Sequence, residues 1–139
     1  MGWPAVRITA DTNVLVRAAV RDDPVQARVA ADALVQAEVV AVPLPVLCEF
    51  VWVLLRRYGR STGEIAASIR DLADSANVRL DRPAVEAGLA VLAAGGDFAD
   101  GVIAFEGRRL GGAVFVSFDR RAVELIAATG AETRLLEAP

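Results

Sequence analysis

The chain has 139 residues, 55 % of them apolar, with 15 basic and 18 acidic side chains and a net charge of −3. That length suits one domain with one sizeable core, and a pI of about 5.0 argues against non-specific coating of nucleic acid. There is no His, every basic residue is Arg, and Cys48 stands alone, which excludes His-dependent triads, His-based ribonuclease chemistry, zinc sites of the HExxH or thiolate kind, and a disulfide framework.

Residues 5–10 form a short β-branched run and predict a strand, which closes on Asp11. A helix is expected over 12–20. Asp23-Pro24 reads as N-cap and first residue of a second helix, 24–36. The strongest apolar stretch, Val39 to Leu55, is interrupted by Pro43, Pro45 and Glu49. A membrane helix wants about twenty mostly apolar residues, so a strand over 38–42 followed by a buried helix over 44–58 fits better. Ser61-Thr62-Gly63-Glu64 resembles a capping box and opens a helix over 62–74. A strand over 77–80 and a helix over 83–94 follow. Gly95-Gly96 marks a turn before a helix over 99–110, and Gly111-Gly112 another before a strand over 113–117. That strand closes on Asp119. A helix over 120–129, Gly130 and a strand over 133–136 complete the chain. Strands alternating with helices predict an α/β fold with a mainly parallel sheet in one domain, 1–139. Asp11 comes before any apolar leader segment, and the lone cysteine suits a reducing, cytoplasmic setting.

Four acidic residues stand out: Asp11, Glu49, Asp100 and Asp119. Asp11 and Asp119 each join a predicted strand to a predicted helix. An Asp there can cap the helix or serve as a ligand or catalyst at the carboxyl edge of a parallel sheet. If strands one and four are neighbours, these two carboxylates meet. Glu49 lies in a helix that is apolar almost all round, so it is expected buried against a partner or aimed at a cleft. Arg56 and Arg57 are candidate structural partners for it. Asp100 falls in the first turn of its helix, where negative charge is favoured, with Asp97 three residues before it. Thr12 and Asn13 could orient Asp11 or cap its helix. Ser117 could bond a ligand or be an ordinary core-edge serine. Cys48 and Trp52 read as packing residues. Unpaired carboxylates in apolar surroundings are costly, and a divalent cation is the obvious partner.

The pattern Asp11-Thr12-Asn13-Val14-Leu15, then Glu49, then Asp97-Phe98-Ala99-Asp100, then Ser117-Phe118-Asp119-Arg120 resembles the PIN-domain ribonucleases. Among them it looks most like the VapC toxins of bacterial toxin–antitoxin pairs. The resemblance covers nearly the whole chain. It implies a three-layer α/β/α fold with a five-stranded parallel sheet in the order 3-2-1-4-5. It implies Mg²⁺ or Mn²⁺ held by Asp11, Glu49, Asp100 and Asp119, with Asp97, Thr12, Asn13 and Ser117 in accessory positions. It also implies hydrolysis of RNA to a 3′-hydroxyl and a 5′-phosphate, a homodimer, and a VapB-like antitoxin partner.

Two other functions compete. A haloacid-dehalogenase-type phosphatase would need a second Asp where Asn13 stands, and a Lys, which the chain lacks. A divalent-metal-binding regulatory module of the receiver kind would need an acidic pair before the first helix and a late Lys. Neither is present.

Overall fold

The structure, a computed structural model, describes residues 6–139; Ala5, where the first predicted strand begins, lies outside them. In chain order the described elements are β1 (Arg7–Thr9), α1 (Thr12–Val20), α2 (Pro24–Gln36), β2 (Val39–Ala41), α3 (Leu44–Arg56), α4 (Thr62–Asp74), β3 (Val78–Arg79), α5 (Arg82–Ala93), α6 (Phe98–Arg109), β4 (Val114–Ser117), α7 (Arg120–Ala128) and β5 (Glu132–Leu135). Every expected element is present. The chain divides between Asp81 and Arg82 into two compact units.

In the first unit, β1, β2 and β3 form a parallel sheet in that order. Ile8 stands opposite Val40, which in turn stands opposite Val78. The amide of Ala10 donates to the Ala41 carbonyl at 3.0 Å, so the ladder runs to the residue before Asp11. Local chemistry sets the helix starts. The Asp23 carboxylate accepts from the Gln26 amide, with Pro24 at the first helical position. Ser61 and Glu64 form the full reciprocal capping box. The end of α1 carried no such signal. It closes on Arg21 in the left-handed region at φ 61°, whose amide donates to the Arg17 carbonyl. Asn or Gly is the usual occupant there.

Helix α3 rules out the buried alternative for Glu49. Its buried residues are Leu47, Phe50, Val51 and Leu54, a single stripe at helical spacing. Glu49 lies off that stripe and is exposed, and Trp52 is 53 % exposed. The long apolar run hid an ordinary one-sided helix, so Trp52 is not the packing residue expected.

In the second unit, β4 and β5 pair in parallel from Val114 opposite Glu132 to Ser117 opposite Leu135. The described residues therefore form a three-stranded and a two-stranded sheet, not the expected five-stranded sheet in the order 3-2-1-4-5. Alternation of strands and helices identifies strands and their sense. It does not identify pairings, and a three-residue strand such as β1 offers few ladder groups to fix them. Helices α5 and α6 cross closely at Gly88 and Gly101. A Cβ on Gly101 would lie 2.5 Å from the Ala87 carbonyl oxygen, and one on Gly88 would lie 2.6 Å from the Phe98 ring. Phe98 and Leu92 are fully buried beside this crossing. No helix among the described residues is long and apolar enough to cross a membrane.

Candidate functional site

In the first unit, β1 ends at Thr9 and the chain turns at Asp11 into α1. The Asp11 carboxylate caps that helix: its Oδ1 accepts from the Thr12 amide at 2.8 Å. Oδ2 has no hydrogen bond among the described residues. Thr12 is itself buried, while Asn13 is exposed. Asp11, Asn13 and Glu49 line one cleft of about 360 Å³ between α1 and α3, together with Trp52, Arg57 and Tyr58. The expected pairing of Glu49 with Arg56 or Arg57 is not made; Glu49 has no ion pair or hydrogen bond among the described residues. Arg17, which also lines the cleft, is held by Asp22 at 3.0 Å, and Asp22 also accepts from the Tyr58 hydroxyl at 3.3 Å.

In the second unit, β4 ends at Ser117 and the chain turns at Asp119 into α7. The Ser117 hydroxyl accepts from the Asp119 amide at 3.0 Å, which fixes the turn. Asp119 Oδ1 accepts from the amides of Arg121 and Ala122, at 3.0 and 3.2 Å. Asp97 caps α6 through the Ala99 amide at 3.0 Å. Asp100 sits in the first turn of α6, half-buried, with no partner among the described residues.

Asp11, Asp97 and Asp119 are all caps. Each uses one oxygen for capping and leaves the other without a hydrogen bond among the described residues. Capping therefore aims a carboxylate without exhausting it. The two acids that cap nothing, Glu49 and Asp100, have no such alternative role.

Burial pushes the Asp100 carboxyl above its ordinary value, and the nearby charges of Asp97 and then Asp119 push the same way. A raised carboxyl in the folded chain keeps its proton at a pH where the unfolded chain has released it. Its stabilising contribution is complete below the ordinary aspartate value and is lost as pH rises through the raised value. The metal-free protein should lose Tm across that window, and Asp100→Asn should melt higher than wild type at neutral pH. Thermal melts in EDTA at a series of pH values check this. Parallel pH profiles for the two proteins would contradict it.

A family model described as PIN domain matches residues 8–128. The chain belongs to the PIN domain family. No match is found among curated proteins. PIN domains are typically nucleases, which sets this one, coarsely, among the hydrolases. They also typically use divalent metal ions. The donors here suit that chemistry, because exposed carboxylate oxygens are the ligands a hard cation takes. The assembly is less complete. Among the described residues no group of three or more acidic, His or Cys side chains is placed to hold a metal ion.

Three features of this PIN domain went unread in the sequence. Gly101 follows Asp100 directly and lets α6 approach α5, which sets where Asp100 stands. A Gly inside a predicted helix was the available signal. Arg121 donates through Nη2 to the Gly95 carbonyl at 3.2 Å and ties the Gly95-Gly96 turn to the helix that Asp119 caps. Trp52 faces the cleft that Asp11 and Glu49 line. Its signal was the three-residue spacing from Glu49, which puts both on one helix face.

Proposed function

We propose that this PIN domain, taken as one domain over 1–139, is a Mg²⁺- or Mn²⁺-dependent endoribonuclease that acts as a VapC-type toxin. One observation carries the reading: in both units a parallel strand ends in an exposed capping Asp, Asp11 or Asp119, with one carboxylate oxygen still available. The carboxyl edge of parallel strands is where α/β folds bind ligands. In this reading Asp11, Glu49, Asp100 and Asp119 are the residues that would hold the ion. A bound divalent ion lowers the pKa of water and neutralises phosphate charge. Asp97, already committed to its helix, takes a supporting position, and Asn13 and Ser117 supply polar groups beside the acids. The absence of His and Lys leaves proton transfer to carboxylates and water.

A protein partner fits the same reading. Val25 and Val29 on α2 are 73 % and 63 % exposed. With Val14 and Ala33 they line an apolar groove of about 570 Å³ that also reaches Asn13 and Arg17. Exposed apolar surface of this kind supports a second copy of the chain or a VapB-like antitoxin as its cover. The cytoplasm, where such a pair would act on RNA, is the proposed location.

The test is incubation of RNA with the purified chain in Mg²⁺ and in EDTA. Cleavage in Mg²⁺ alone is expected. Cleavage undiminished by EDTA would overturn the metal dependence, and no cleavage in either would favour a regulatory metal-binding module.

A further inference from the structure

In the second unit the acids stand on two separate helix starts. Asp97 caps α6 and Asp100 lies in its first turn, while Asp119 caps α7. Capping fixes the turn it belongs to and does not place one helix start against another. The chain between the two starts runs out along α6 and returns along β4, so a direct tie must hold them in register. Arg121 makes that tie. Its backbone amide donates to Asp119 Oδ1 at 3.0 Å, and its side chain donates through Nη2 to the Gly95 carbonyl at 3.2 Å. Gly95 stands two residues before Asp97. One turn further along α7, on the same face, Leu125 closes on the next residue of the turn. A Cβ on Gly96 would lie 2.4 Å from Leu125 Cδ1 and 2.7 Å from Val91 Cγ1, and one on Gly95 would lie 2.8 Å from Arg121 Nη2. The two glycines thus let the turn lie flush against the face of α7 that carries Arg121 and Leu125. Arg121 makes no ion pair among the described residues. A guanidinium placed there to neutralise the acids would bond a carboxylate, the stronger partner. This one is committed to a neutral carbonyl instead.

We propose that Arg121 is a positioning residue: it clasps the turn before Asp97 and Asp100 to the start of α7, and so sets where these carboxylates stand relative to Asp119. The inference rests on the nuclease reading above and names a residue that arranges its acids. The charges of Asp97 and Asp119 both bear on Asp100, so the two helix starts lie within electrostatic reach of each other. Like charges repel, and with the clasp released the start of α6 is free to move away from that of α7. The acids then present a less well arranged set of oxygens to a cation. The sign of the effect separates position from charge. An Arg beside a cation site repels the cation, so loss of its charge alone should tighten cation binding. Loss of the clasp should weaken it.

The experiment uses the full chain and Mn²⁺ alone, with binding followed by titration calorimetry, which needs neither RNA nor turnover. Arg121 is exposed, so its variants should keep the fold, checked by circular dichroism. Arg121→Met, of similar length but without donor or charge, should weaken Mn²⁺ binding by about 10-fold, the low end of the range for an outer-shell partner. Arg121→Lys, which keeps the charge and a donor, should recover most of the loss. Arg120→Gln removes the same charge one residue away, where the partner is Glu137. It should leave Mn²⁺ binding within about 2-fold of wild type, because an exposed charge is largely screened. With RNA at sub-saturating Mn²⁺, Arg121→Met should lower kcat by about 10-fold and change KM by less than about 2-fold, and excess Mn²⁺ should recover part of the rate.

Mn²⁺ binding that is unchanged or tighter in Arg121→Met would overturn the inference and leave the nuclease reading intact, with wild type still binding the ion and cutting RNA. A raised KM for RNA, with Mn²⁺ affinity and kcat unchanged, would also overturn it and make Arg121 a phosphate contact. A wild-type chain that neither binds Mn²⁺ nor cleaves RNA would remove both readings together.

Discussion

Asp11→Asn should cut RNA at least about 100-fold more slowly than wild type while its fold and Tm hold. The substitution is close to isosteric, and Asn is as good an N-cap as Asp, so the bond to the Thr12 amide survives. What it removes is a negative charge on an exposed oxygen that holds nothing else in the structure. Surface changes of this kind move stability by no more than about 0.5 kcal/mol, or roughly 2 °C in Tm. Loss of even an outer-shell partner in a metal site typically costs about 10–100-fold in activity, and a direct ligand costs more. Purified Asp11→Asn is compared with a mock preparation on the same RNA. A rate equal to wild type would remove Asp11 from the site. A large fall in Tm would mean that capping, not chemistry, is its main role.

Gly101→Ala should lower stability by about 2 kcal/mol, roughly 8 °C in Tm, although alanine is the better helix former. In an open helix the same change would gain up to about 1 kcal/mol. Here the added Cβ would sit 2.5 Å from the Ala87 carbonyl oxygen and 2.8 Å from the Gly88 Cα. These are backbone atoms and cannot rotate away, so the helices must separate. Gly107 on the same helix is the control, because a Cβ there meets nothing within 4 Å. Gly107→Ala should be neutral or slightly stabilising. Because α6 carries Asp100, Gly101→Ala should also lower cleavage where Gly107→Ala does not. Equal Tm values for the two alanine variants would contradict the close crossing of α5 and α6.

What could be read in the sequence follows the range of the forces involved. The bounds 12–20, 24–36 and 62–74 match α1, α2 and α4, and their starts were legible because caps and prolines act within one turn. Asp23-Pro24 and Ser61-x-x-Glu64 state their own geometry. Sheet pairing acts between residues far apart in the chain, so the parallel sense was legible and the division into three and two strands was not. For α3, periodicity averaged over a nearly uniform apolar run could not show that Leu47, Phe50, Val51 and Leu54 alone make the buried stripe. Glu49 was expected buried against a partner or aimed at a cleft; it is exposed and lines the cleft between α1 and α3. For Asp11 and Asp119 the sequence offered cap or ligand as alternatives. The hydrogen bonds show that one oxygen suffices for the cap, which no reading of residue type could supply.

The central claim is that this PIN domain hydrolyses RNA with water and a divalent ion, using its carboxylates. The most direct measurement is the chemistry of the product ends. A labelled single-stranded RNA is cut by the purified chain in Mg²⁺, and the new termini are identified. A 3′-hydroxyl and a 5′-phosphate are expected, with cleavage abolished by EDTA and restored by Mn²⁺. A 2′,3′-cyclic phosphate formed equally well in EDTA would show that the ribose hydroxyl, not water, attacks the phosphate, and would contradict the account.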